Sequence, residues 1–278
     1  MKEYLKALEH CYKNGTDVIS RAGKVRKAFG YQMRFDLSIG FPALTTKKLA
    51  WKAVTSELIW FLEGSNDERR LAEILYQDDR KNLKDKKTIW TENAHSEYWK
   101  DRAKFEGDVG RIYGVQWRDF NGTDQIKNLI KSIKDSPDSR RHILSAWNPS
   151  ELDLMSLPPC HAFSQFFVSR GKLSCQLYQR SCDMFLGVPF NIASYSFLLC
   201  ILCHLTKYKP GRLIHILGDS HIYEDHINAV KQQIIRVPVQ YPTLDISYQL
   251  ESIDDIQEKY FTLENYKSYP KLLAPMIA

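Results

Sequence analysis

The first residues able to do chemistry are Cys160-His161, which follow Leu157-Pro158-Pro159. Two prolines hold the backbone extended just ahead of the thiol, a costly restraint for a residue that only fills space. Downstream, Gln179-Arg180-Ser181-Cys182-Asp183 sets a guanidinium at the end of an expected strand. An arginine beside Cys160 would favour the thiolate over its unperturbed pKa of about 8.5. The plain alternative for Cys160 is a small buried hydrophobe, and the Pro-Pro-Cys-His setting tips the balance towards a nucleophile.

Four further groups carry chemistry-bearing side chains. Pro137-Asp138-Ser139-Arg140-Arg141 puts two guanidiniums after a turn and before a strand. Such a pair suits a phosphate dianion through bidentate donation, and a solvated basic turn is the competing reading. The run from Gly218 to His226 is dense in Asp, His, Tyr and Glu. Its spacing is not His-Glu-x-x-His and no Cys/His partner set follows, so no metal is expected. His221 and Tyr223 instead suit a sugar hydroxyl, on a loop at a helix start. Cys200-Ile-Leu-Cys203-His204 has the spacing of a c-type haem attachment, but it lies within an apolar helix, where core packing is the better account and no haem is expected. Val188-Pro189-Phe190-Asn191 opens that helix, and Asn191 either caps it or reads a base edge with its adjacent donor and acceptor.

The elements that must position these groups follow from apolar periodicity. Tyr4, Leu5, Leu8 and Tyr12 share one face of an N-terminal helix that stops at Gly15. Lys52 to Leu62 predicts an amphipathic helix ended by Gly64, and Ile126 to Lys134 another that ends before Pro137. Phe163–Ser169 and Lys172–Gln179 predict two strands joined by a tight Arg170-Gly171 turn, with a strand at Ile143–Trp147 before them. Asn191 to Leu205 predicts a long apolar helix, Asn228 to Ile235 a short one, and Leu244 to Leu250 a late strand. Helices and strands mix without regular βαβ alternation, which predicts an α+β fold with a largely antiparallel or mixed sheet. There are no repeats or Gly/Ser linkers. The polar stretches Tyr76–Lys87 and Lys100–Asp108 bracket a small peripheral subregion, around 66–110, within a single domain spanning 1–278.

The chain has 278 residues, 44% hydrophobic and 26% charged, with a formal charge of +6. That length supports a self-sufficient core. The mild basic excess suits a small anionic ligand as well as nucleic acid. The N-terminus has no signal-peptide core, and the longest apolar run, Tyr195–Leu205, is too short to cross a bilayer. The expected location is therefore the cytoplasm, away from membranes, with the six cysteines reduced.

These segments, in this order, resemble the thymidylate synthase family. The longest shared run is Gly171 to Asp183, continuing through Phe185-Leu186-Gly187 and Pro189 to Tyr195. With it come Phe41-Pro42, Thr45-Thr46-Lys47, Glu57 within Glu-Leu-Ile-Trp-Phe-Leu, Tyr113 to Arg118, Pro137 to Arg141, and Pro159-Cys160-His161. The resemblance covers Lys2 to the end. It implies an α+β sandwich with a large mixed β-sheet and flanking helices, assembled as a homodimer packed sheet to sheet. It implies a methyltransferase that reductively methylates dUMP to dTMP. The methylene and hydride donor would be 5,10-methylenetetrahydrofolate, with no metal and no obligatory nucleic acid.

By the same resemblance, Cys160 would add to C6 of uracil, Glu57 would order the waters that move protons at O4, Tyr113 would help to remove the C5 proton, and His161 would belong to the catalytic set. Arg180 would stabilise the thiolate and, with Arg21 and Ser181, hold the phosphate. Arg140 and Arg141 would reach that phosphate from the other subunit. Asn191 would pair with O4 and N3, beside Gln179 and Asp183, while His221 and Tyr223 would hold the 3′-hydroxyl. Folate would lie near Ile89, Trp90, Leu186, Gly187 and Phe190, with Asp183 on the pterin, Lys47 towards the glutamate tail and Ala278 in a closing C-terminal tail. The run Ala22-Gly23-Lys24-Val25-Arg26-Lys27 departs from the family's phosphate loop: it is one residue shorter, and three cations replace small residues. One alternative is a dUMP or dCMP hydroxymethylase of the same fold, although Asn191 in place of an aspartate favours uracil. A catalytically idle nucleotide- or RNA-binding protein is the other.

Overall fold

A computed structural model of the chain describes residues 1–20 and 23–277. The expected phosphate ligand Arg21 and the tail residue Ala278 lie outside the described residues. In chain order the helices are α1 (Lys2–Asn14), α2 (Trp51–Glu63), α3 (Glu68–Tyr76), α4 (Thr91–Ala94), α5 (Tyr113–Arg118), α6 (Gln125–Asp135), α7 (Gly187–Thr206) and α8 (Ile227–Ile234). The strands are β1 (Thr16–Ser20), β2 (Gly23–Asp36), β3 (Ile143–Ser145), β4 (His161–Ser169), β5 (Lys172–Asp183), β6 (Lys209–Tyr223), β7 (Thr243–Ile246) and β8 (Phe261–Glu264).

Six strands form one mixed sheet in the order β1-β2-β6-β5-β4-β3. Only the β5–β6 pair is parallel, joined through α7; the other four pairs are antiparallel. This is the expected α+β architecture with a large mixed sheet and flanking helices. The β4–β5 hairpin turns on Arg170 and Gly171, both at positive φ (49° and 71°), the two-residue geometry that matches strand twist. β7 and β8 form a separate two-stranded sheet, so the late strand is shorter than its expected span to Leu250.

Helix α7 lies on β5 and β6 and against α2. Its twenty residues are long and apolar enough to cross a membrane by composition alone, but nearly all are buried inside the protein. It is a core helix. It begins at Gly187, earlier than expected, because Pro189 sits in the first turn, where its missing N–H costs nothing. Asn191 is therefore inside the helix, and its reading as an N-cap is overturned.

Helix α2 is not amphipathic. Every residue from Val54 to Leu62 is buried, Thr55, Ser56 and Glu57 included, because α3, α5 and α7 all pack on it. The Thr55 and Ser56 hydroxyls donate to the Lys52 carbonyl at 3.0 and 2.7 Å, so these two polar groups are satisfied locally. Gly64 in the left-handed region (φ 72°) ends the helix.

Two expected loops are strands. Residues 23–27 of the departed phosphate loop belong to β2, and Gly218 to Tyr223 belong to β6, which passes through a 3₁₀ turn at Glu224–His226 into α8. Around 66–110 the chain closes on itself. The Asp108 carboxylate accepts hydrogen bonds from the Asn66 amide, Gly110 N–H and Lys104 N–H at 2.8–2.9 Å. Nearby, Glu68 and Arg69 form a buried ion pair.

Candidate active site

Cys160 immediately precedes β4, whose register against β5 slips between His161 and Phe163. It is the one partly exposed cysteine of the six; the other five are buried. Arg180 on neighbouring β5 fixes the approach. Its backbone N–H donates to the Cys160 carbonyl at 2.8 Å. Its guanidinium donates to the Pro159 and Pro158 carbonyls at 2.8 Å each and lies over the Trp147 ring. Both proline carbonyls are hydrogen-bonded, so the backbone leading to the thiol is anchored. Burial pushes the Cys160 thiol up; Arg180, Ser181 and Tyr113 pull it down without offsetting that burial. Arg180 thus acts on the thiol in the direction that favours the thiolate, and desolvation acts against it more strongly.

Behind the thiol lies an aromatic wall. The Tyr113 hydroxyl oxygen accepts the Cys160 N–H at 2.7 Å, and its ring stacks on His161 with centroids 4.0 Å apart. His161 Nδ1 pairs with the Tyr195 hydroxyl at 2.9 Å, and burial, aided by His215, lowers its pKa to about 3. His161 is thus neutral near pH 7 and acts as a polar, uncharged neighbour. Glu57 on α2 is 4% exposed and accepts from Trp90 Nε1 at 2.7 Å. Burial raises its pKa to about 7, the Trp90 bond opposing, which suits a group that gives and takes protons near neutrality. Trp90 packs against Tyr113 at 5.9 Å, so Glu57, Trp90, Tyr113 and Cys160 form one connected wall.

A second chain of polar groups runs under the site. His215 Nε2 meets Gln179 Oε1 at 2.8 Å, and Gln179 Nε2 donates to Asn191 Oδ1 and to the Ser181 carbonyl, both at 3.0 Å. All three side chains in this chain are buried. His221 and Tyr223 come together at the end of β6, ring centroids 5.1 Å apart. The cations of the departed segment are matched by carboxylates: Lys24 by Asp17 and Glu224, Arg26 by Asp17 at 2.7 Å, and Lys27 by Asp219 at 2.8 Å.

On the other side, Asp183 Oδ1 accepts the N–H groups of Phe185 and Leu186 at 2.9 and 3.2 Å. Its carboxyl sits below the ordinary range: burial raises it, and His226 and these N–H groups outweigh that. Its hydrogen bonds fall on Oδ1, and none among the described residues falls on Oδ2. Leu186 and Phe190 are half-buried and Ile89 is exposed. Lys47 is buried, its ammonium donating to the Phe185 carbonyl at 2.6 Å over the Phe185 ring; reaching a glutamate tail requires it to leave that berth. The tail returns to this corner, where His226 Nε2 pairs with the Pro275 carbonyl at 2.8 Å. Among the described residues no group of three or more His, Cys, Asp or Glu could hold a metal ion.

Arg140 and Arg141 stay apart from all this. They are exposed, just before edge strand β3, and neither guanidinium hydrogen-bonds or ion-pairs with a described residue. Three participants went unread in the sequence: His215, Tyr195 and His226 as a contact to the tail. His215 had a signal, a lone histidine inside the apolar run Leu213-Ile214-His215-Ile216-Leu217.

The sequence model of a family described as thymidylate synthase matches residues 2–278. A thymidylate synthase of Herpesvirus ateles is 42% identical over 291 residues, covering 99% of this chain and 97% of that protein.

Proposed function

The chain belongs to the thymidylate synthase family and is a methyltransferase that converts dUMP to dTMP; from that premise we propose that Cys160 is its nucleophile. The observation that carries this is the position of the one partly exposed cysteine, between the Arg180 guanidinium and the Tyr113 hydroxyl. Addition of the thiolate sulfur to C6 of uracil moves the C5–C6 π pair towards C5 and O4, so C5 becomes nucleophilic. Bound 5,10-methylenetetrahydrofolate supplies the one-carbon unit and the hydride, and leaves as dihydrofolate.

The rest of the site supports matching roles. Glu57, with a pKa near neutrality, relays protons at O4 through water. Tyr113 stays a phenol because burial pushes its pKa far up, so it helps to remove the C5 proton by hydrogen-bonding the water that takes it. Asn191 reads O4 and N3, His221 and Tyr223 hold the 3′-hydroxyl, and Arg180, Ser181 and Arg21 hold the phosphate. Asp183 meets the pterin, Trp90, Leu186, Gly187 and Phe190 line its bed with Ile89 at the rim, and the tail ending in Ala278 closes over it to exclude water. Lys47 swings from Phe185 to meet the glutamate tail.

The same proposal includes a cytoplasmic homodimer. Phe163 and Tyr178 are cross-strand neighbours on β4 and β5, and with Phe167 and Ile143 they leave large apolar side chains exposed, Phe167 by 65%. A second copy packed on this face covers them and brings Arg140 and Arg141 to its partner's phosphate. The comparisons favour neither a hydroxymethylase nor an idle binding protein.

The test is covalent trapping. With 5-fluoro-dUMP and methylenetetrahydrofolate, the intact enzyme should form an adduct whose labelled peptide contains Cys160. Cys160→Ala should bind dUMP and give no adduct. Labelling of any other residue, or turnover by Cys160→Ala, overturns the assignment.

A further inference from the structure

The sequence gives no role to His215, yet it stands at the root of a buried chain that ends at the proposed base reader. Its Nε2 faces Gln179 Oε1 at 2.8 Å. An oxygen accepts only, so Nε2 must carry the hydrogen. Nδ1 is buried with no hydrogen-bond partner. The opposite tautomer would strand an N–H in the core and set two lone pairs against each other, leaving a buried donor unsatisfied. Burial also holds the ring neutral, with its pKa lowered to about 3, so a single tautomer persists across the working pH range.

That tautomer sets the polarity of everything beyond it. With Oε1 committed to His215, the Gln179 amide nitrogen must face the other way, where it donates to Asn191 Oδ1 and the Ser181 carbonyl. Turning the Gln179 amide over would break both of those bonds and the one to His215. Asn191 is therefore approached by a donor, which keeps its oxygen on the Gln179 side and leaves its amide nitrogen to donate elsewhere. Uracil offers an N–H at N3 and an acceptor at O4; cytosine offers the reverse, an acceptor at N3 and an amino donor at C4. An Asn191 amide free to rotate by 180° would serve either base equally. One held in a single sense serves uracil only, since the wrong base meets donor against donor and acceptor against acceptor.

We propose that His215 is a positioning residue for base selectivity: through Gln179 it locks the Asn191 amide in the sense that accepts uracil and rejects cytosine. The proposal rests on Asn191 being the base reader and names what makes that reader selective.

The experiment compares dUMP with dCMP as ligands of the whole enzyme. His215→Leu removes the donor and keeps the bulk apolar. The ratio of dCMP to dUMP dissociation constants should fall by at least about tenfold, with the KM for dUMP rising while the Cys160 adduct with 5-fluoro-dUMP still forms. His215→Gln, whose amide retains an N–H, should restore part of that ratio, which a purely space-filling residue would not require. A His215→Leu enzyme with native melting behaviour and an unchanged ratio overturns the proposal. Asn191→Asp separates the two levels. If it moves preference to dCMP while His215→Leu does not, the positioning role fails and the base reader stands. If Asn191→Asp leaves preference unchanged, both fail. Should His215→Leu not fold, ¹⁵N chemical shifts of the histidine rings in the intact protein decide: a protonated Nε2 at His215 upholds the chain, and a protonated Nδ1 overturns it.

Discussion

The wall of Glu57, Trp90, Tyr113 and His161 and the hairpin of β1 and β2 are both rich in polar side chains, and they treat them in opposite ways. In the wall the groups are buried and their proton affinities are far from ordinary: Glu57 is raised to about 7 and His161 lowered to about 3. In the hairpin, Lys24, Arg26 and Lys27 are partly exposed and sit on carboxylates. Charge in water beside an opposite charge is chemically quiet. A carboxyl taken out of water is not, because burial acts on its charged form directly. Reactivity in this molecule follows desolvation rather than the number of ionisable residues.

The sharpest way to break that contrast is Glu57→Gln. Loss of a positioned proton relay should lower kcat by about 10²- to 10⁴-fold while dUMP still binds. The same change should stabilise the fold. Glu57 has a folded pKa of about 7 against an ordinary 4.5, so between those values the native state binds more protons than the unfolded one. Its contribution falls as pH rises through that window, by about 3 kcal/mol in all. The variant's melting temperature should exceed the parent's by a margin that grows from pH 5 to pH 8. A margin flat with pH would mean that Glu57 is not desolvated as described.

Glu68 and Arg69 are next in size. Burial raises the Glu68 carboxyl, and Arg69, Thr91 and Thr88 together hold it below its ordinary value. Glu68→Gln leaves a buried guanidinium without its counter-charge and should cost about 3–5 kcal/mol in denaturant unfolding. The Thr88 and Thr91 hydroxyls both donate to Glu68, and Thr88 Oγ1 accepts the Trp90 N–H. The variant should therefore also raise the folate KM, whereas an equal loss of stability elsewhere should not. Trp90→Phe is milder: it removes one N–H from Glu57, so the Glu57 pKa in the pH–rate profile should move further up, with kcat lower by about tenfold. An unmoved profile would separate Glu57 from Trp90.

What could be read from residues alone divides along the same line. Helices α1, α6 and α8 and the β4–β5 hairpin were legible because an apolar stripe or an Arg-Gly turn marks them. β2 was not. Its alternation, with Val25, Met33 and Phe35 buried between polar neighbours, is broken midway by Lys27, an exposed Phe29 and Gly30, and its start resembled a phosphate loop. β6 was hidden by the dense His-Asp-Tyr cluster at its end, read as a loop because such residues favour loops on average. The residues around Cys160 were recognisable because their types are unusual together. His215 was missed because its meaning lies in a partner 36 residues away, and no local pattern carries that information.

The smallest effect tests the quiet half of the contrast. Lys24 is 45% exposed and lies 3.3 Å from Asp17 and 3.8 Å from Glu224. If the hairpin cations were direct phosphate ligands, Lys24→Ser would raise the dUMP KM about tenfold or more, and the rise would shrink in high salt as screening weakened the parent's advantage. If the cations serve each other's carboxylates, the substitution leaves Asp17 still paired with Arg26 at 2.7 Å and removes little that the nucleotide feels. The expected outcome is a dUMP KM within about twofold of the parent at low and high ionic strength. The shortened hairpin then appears as a self-neutralising edge, with its cations held by Asp17, Asp219 and Glu224 and the phosphate left to the arginines.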